Sequence, residues 1–134
     1  MRSFGTVKPS FWTGLTGRAL RKAGSDAQLL ALYLMTNPMA NMIGLYYLPL
    51  VMLRKELALS MPEAMKALKK VEDAGFAVYD SESETIWVYE MARYQLGDEL
   101  SPHDKKVKPI ARLYADIHDS PFLGQFHDKY AEAL

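Results

Sequence analysis

Lys66, Lys69 and Lys70 lie within the stretch Leu59–Gly75 at spacings of three and one. On a helix, that spacing places the three ammonium groups on neighbouring parts of one face. Such a cluster neutralises phosphates, so the expected chemistry is polyanion binding that weakens as salt rises. Met61, Pro62, Glu63 and Ala67 occupy the N-terminal, outer part of the same stretch. A helix in a DNA groove turns that part towards base edges. None of the four is an arginine or asparagine, the side chains with the strongest base-reading geometry. Modest sequence specificity is therefore expected, or specificity supplied by a dimer or by neighbouring bound copies. Arg18, Arg21 and Lys22 form a second basic cluster, and Arg54 with Lys55 a third, both read as secondary phosphate contacts. For every one of these cations the plain alternative is a solvated surface.

Other chemistries lack their residues. The sequence has no cysteine, which excludes a disulfide scaffold, a thiolate zinc site and a cysteine nucleophile. His103, His118 and His127 are too far apart for a local metal motif, although Asp116, Asp119 and Asp128 stand near two of them. There is no phosphate-cradling P-loop, no dinucleotide glycine pattern and no nucleophile elbow. The expectation is a protein that is not an enzyme and uses no cofactor or metal.

The elements that must position the lysines can be read from capping and periodicity. Ser60 and Glu63 make a capping box, Pro62 suits a first turn, and Gly75 is the expected left-handed terminator. Ala64, Met65, Leu68, Val71 and Glu72 are the expected inward stripe. Leu50–Leu59 reads as a short helix of its own, with Leu50, Val51, Leu53 and Leu57 inward. Upstream, Pro9 predicts an extended Thr6–Trp12, and Thr16–Ala23 a short helix stopped by Gly24. Ser25–Thr36, capped by Ser25 or Asp26 and ended at Asn37-Pro38, is apolar nearly all round and is the expected central helix. Gly44–Leu48 is a candidate first strand. Phe76–Tyr79 and Thr85–Glu90 form a hairpin around the acidic turn Asp80–Glu84. Alternation puts Phe76 and Val78 opposite Tyr79, and Ile86 and Val88 opposite Trp87 and Tyr89. Beyond a turn-rich linker at 97–108, Pro109–Asp119 and Pro121–Leu134 read as two amphipathic helices. The second has a stripe of Phe122, Phe126, Tyr130 and Leu134.

This layout predicts an α+β, mainly α fold: a winged helix-turn-helix with a two-stranded wing over 1–96 and a C-terminal helical appendage over 109–134. The chain is long enough for one real core, with 134 residues and 49% apolar composition. Its net charge is zero, but residues 1–70 carry ten basic and three acidic side chains, a surplus of seven. Residues 71–134 carry the compensating excess of acid. A basic first half suits a nucleic acid. The N-terminus lacks a signal-peptide core, and the longest apolar run, Met42–Leu53, is too short to span a bilayer. A soluble cytoplasmic location without membrane contact is expected.

The order PSFWTG, YLMTNP, GLYYLP, LALSMPEAMKALKKVEDAGFAVYD and TIWVYEMARYQ resembles the N-terminal winged-helix domain of phage and prophage replication initiators, the replisome organisers. The likeness covers roughly Pro9–Leu96, and the tail DSPFLGQFHDKY is similar to a short helical segment that often follows. The resemblance implies binding of origin double-stranded DNA and contact with a helicase or helicase loader. Wings in that family often touch the DNA backbone through basic residues, whereas the turn here is Asp80-Ser81-Glu82-Ser83-Glu84, which phosphates would repel. Two other readings stand beside it. One is a winged-helix transcriptional regulator; the other is a protein-interaction module with little DNA affinity. A homodimer is expected if the C-terminal stripes are buried against a neighbour.

Overall fold

The computed structural model describes residues 3–91 and 121–130. The fold is α+β and mainly helical, with one three-stranded antiparallel sheet. The elements are α1 (Ser10–Thr13), α2 (Leu15–Ala23), α3 (Ser25–Thr36), β1 (Leu45–Tyr47), α4 (Leu50–Leu57), α5 (Met61–Asp73), β2 (Ala77–Asp80), β3 (Thr85–Val88) and α6 (Leu123–Tyr130). The expected linker at 97–108 and helix at 109–119 lie outside the described residues, as do Leu134 and the side chain of Tyr130.

The central position of α3 follows from its composition. Ala27, Leu30, Ala31, Leu34 and Met35 are all buried, and the helix packs against both α2 and α5. Its N-cap is Gly24 and not Ser25 or Asp26. No side chain caps this end, and the Asp26 carboxylate accepts instead from the Ala27 N–H and from Lys70. At the other end, the buried Asn37 donates to the Tyr33 carbonyl and to the Tyr46 hydroxyl, and Tyr46 donates in turn to the Leu34 carbonyl. These bonds satisfy the buried Asn37 amide and Tyr46 hydroxyl. They also tie the end of α3 to β1.

Pro9 starts a helix instead of prolonging a strand. Proline fits a helix start because its φ is already helical and its missing N–H is not needed there, so Ser10–Thr13 form one turn after an arm that extends only to Lys8. α2 follows at once, packed so closely on that turn that a Cβ at Gly17 would lie 2.0 Å from the Phe11 carbonyl oxygen.

In the sheet, β3 is central, in the order β1-β3-β2. Leu45 and Val78 flank Trp87 in register, while Tyr46 and Tyr79 flank Ile86. One face, with Tyr46, Ile86 and Val88, joins the main core of Leu20, Leu30, Leu34, Leu53, Leu68 and Val71. The other face, with Leu45 and Trp87, joins Ile43 and Phe126 of α6. The expected alternation along β3 holds, yet all four of its residues are buried because both faces are covered. Phe76 departs from the expected pairing with Val78. It joins the main core, with its ring edge-on to Phe11.

Candidate nucleic-acid interface

α5 is fixed at both ends by local chemistry. The Ser60 hydroxyl accepts from the Glu63 N–H at 3.2 Å, and the Glu63 carboxylate accepts from the Ser60 N–H at 2.9 Å. This reciprocal pair holds the Glu63 carboxyl below its ordinary pKa. At the C-terminus the chain turns at Gly75, where φ is 78° and the Phe76 N–H reaches back to the Val71 carbonyl. That φ is accessible to glycine at no steric cost.

The turn into α5 is equally definite. Ala58 is left-handed, with φ 55° and ψ 48°, and the Leu59 N–H bonds the Arg54 carbonyl. Arg54 is itself engaged in this turn, its Nε donating to the Leu59 carbonyl at 3.3 Å. α4 begins under a carboxylate from across the fold: Glu84, in the hairpin turn, accepts from the Leu50 N–H at 2.7 Å. An anion at a helix N-terminus satisfies a free N–H and opposes the helix dipole.

The buried stripe of α5 is Ala64, Ala67, Leu68 and Val71. Two expectations are corrected here. Ala67 is 1% exposed and belongs to the core, so it does not face a ligand. Met65, expected inward, is 43% exposed, and Glu72 is exposed as well. The stripe runs through the small alanines because α3 and α2 lie close against α5. Val51 of α4 is likewise outward at 70% exposure, while Leu53 is fully buried.

The remaining site residues fall into two groups. Met61, Glu63, Lys66 and Lys69 are exposed on α5; Lys55 is exposed on α4; Arg18, Arg21 and Lys22 are exposed on α2. Lys70 is half-buried and bonds both oxygens of Asp26 at 2.9 Å, clamping α5 to the start of α3. Lys70 is the main reason that the Asp26 carboxyl titrates below its usual value. Lys69 pairs with Asp73 one turn on, at 3.0 Å, which pushes the ammonium pKa up. Lys66, Lys55, Arg18, Arg21 and Lys22 form no ion pair with another described residue.

The sequence reading missed Asp26, Asp73 and Glu84 as partners. Asp73 was within reach of inspection, because a lysine and an acid four apart on a helix attract. Asp26 and Glu84 act 44 and 34 residues away and carry no local signal. The acidic turn is largely occupied with its own structure. Asp80 accepts from both the Ser83 N–H and hydroxyl, and Glu84 is the cap of α4.

A cleft of about 260 Å³ opens between α1, α2 and the sheet, lined by Phe11, Gly17, Leu20, Phe76, Val88 and Glu90 among others. Glu90, at its rim, is paired with Lys129 of α6 at 2.9 Å. Among the described residues no three His, Asp or Glu side chains form a metal-binding group. No described helix is long and apolar enough to cross a membrane. No protein-family model, curated protein or solved structure matches this chain.

Proposed function

We propose that the chain is a DNA-binding protein of the winged helix-turn-helix kind, of phage or prophage origin, that acts in initiation of DNA replication. One observation carries the DNA-binding part. Lys66 on α5, Lys55 on α4 and Arg18, Arg21 and Lys22 on α2 are exposed and have no acidic partner among the described residues, whereas Lys69 is paired with Asp73 and Lys70 with Asp26. In this reading α4 and α5 are the two helices of the motif, joined through the left-handed Ala58, and the β2–β3 hairpin is the wing. α5 enters the major groove with Lys66 and Lys69 outward, and Arg18, Arg21 and Lys22 neutralise phosphates. Lys70 and Arg54 hold the helices in place and contribute less to binding. The acidic hairpin turn stays off the DNA. The replication assignment is supported by the sequence resemblance, which also makes a helicase or helicase loader the expected protein partner.

The test is fluorescence anisotropy with labelled duplex DNA across a salt series. The logarithm of affinity should fall with the logarithm of salt with a slope of several units. A chain carrying Arg18→Glu, Arg21→Glu and Lys22→Glu should bind at least about tenfold more weakly, as should Lys66→Glu together with Lys69→Glu. Lys70→Gln should leave the salt slope nearly unchanged. Absence of salt-dependent binding at low ionic strength would overturn the DNA reading. Equal affinity for phage origin fragments and random duplex would overturn the replication assignment alone.

A further inference from the structure

The outer face of the sheet has a defined occupant. Phe126 of α6 is fully buried there, with its ring 6.4 Å from that of Trp87 and edge-on to it. Phe122, one turn earlier, has its ring 6.2 Å from the same indole. Three residues beyond Phe126, Lys129 bonds Glu90 at 2.9 Å. Ile43 and Leu45 complete the seat. The surface therefore fits a short helix with two phenylalanines four apart and a cation three residues on. Gly124, Gln125, His127 and Asp128 face outward.

Two physical facts make this seat exchangeable. An eight-residue helix is too short to persist alone in water, so α6 is helical because it is docked. Twenty-nine residues, 92–120, separate Met91 from Pro121, so chain length alone does not confine α6 to its own sheet. A second copy presents the same Phe122, Phe126 and Lys129. We propose that the Ile43–Leu45–Trp87 face is a docking surface for a helix exchanged between copies, with α6 of one chain taking the seat on another. The chain's own helix competes at high effective concentration, so exchange grows where copies are crowded. The inference is independent of the DNA reading, because none of the exposed cations of α2, α4 or α5 takes part.

The full-length Phe126→Ala chain keeps the seat and loses its occupant. A fluorescein-labelled peptide of residues 119–134 is titrated with this chain and with the unsubstituted one, following anisotropy. The peptide should bind Phe126→Ala at least about tenfold more tightly, because the unsubstituted chain's α6 competes. A peptide carrying the same substitution should not bind. Sedimentation equilibrium of the unsubstituted chain should show a dimer, growing with concentration, that Phe126→Ala does not form. Equal binding to both chains, or binding to neither, overturns the docking surface. Peptide binding without that dimer overturns exchange between copies. If circular dichroism shows that Phe126→Ala is unfolded, Lys129→Glu replaces it. That variant loosens α6 by repulsion from Glu90 and should still bind the unsubstituted peptide more tightly than the unsubstituted chain does.

Discussion

The two faces of one small sheet are secured in opposite ways. On the inner face, Tyr46, Ile86 and Val88 meet a core built from α3, α4 and α5. Those helices are near one another in sequence, and α5 has both of its ends fixed by specific hydrogen bonds. On the outer face, Leu45 and Trp87 meet a smaller cluster of Ile43, Tyr89, Phe122 and Phe126, in which the two phenylalanines come from far along the chain. Ile86 and Trp87 are adjacent and both buried. Equal burial thus conceals unequal support: Ile86 is enclosed by the helices of the main core, Trp87 by a smaller cluster that depends on α6.

The largest expected effect tests the inner face. Leu34→Ala removes a fully buried side chain from the centre of the core and should cost roughly 2–5 kcal/mol in chemical denaturation. Phe126→Ala should cost less, roughly 1.5–3 kcal/mol, because α6 can leave without opening an enclosed cavity. A larger loss for Phe126→Ala than for Leu34→Ala would break the contrast. Ser60→Ala removes half of the capping box and should cost about 1 kcal/mol, with α5 losing amide protection at its first turn in hydrogen exchange.

The smallest effect concerns the Lys70–Asp26 clamp. Because Asp26 titrates lower in the fold than in the unfolded chain, its contribution is present above the ordinary carboxylate value of 3.8 and is lost as pH falls through the lowered value. The pair is partly solvated, so the difference in stability between the unsubstituted chain and Asp26→Asn should be under about 1 kcal/mol at neutral pH. It should shrink towards zero in acid. A difference that grows on acidification would refute the sign.

How much of this was readable beforehand follows the same division. The capping box, the Gly75 terminator, the buried α3 and the alternation of β3 all rest on residues within a few positions of each other. Local spacing was sufficient for them. Hydrophobicity alone turns Met65 inward on α5, whereas the structure buries Ala67 where α3 and α2 pack against the helix. Pro9 predicts extension at the residue before it, whereas its effect on the residues after it decides the structure. The lysine row was legible as a row. Its division into exposed Lys66 and clamped Lys70 was not, because Asp26 is brought to Lys70 only when α3 packs on α5. Glu84 read as part of a repulsive turn and proves to be the cap of α4.

The two tryptophans stand at opposite extremes of exposure, Trp12 at 46% and Trp87 at 5%. Trp12 borders the basic α2 through the α1 turn, and Trp87 lies under Phe126. The intrinsic emission of this protein is therefore a two-channel signal. Trp12 should supply a red-shifted, readily quenched component that responds at the N-terminal helices, and Trp87 a blue-shifted one that responds to uncovering of the sheet. Changes at the N-terminal helices and at the outer sheet face should therefore be separable in one cuvette without attaching a dye.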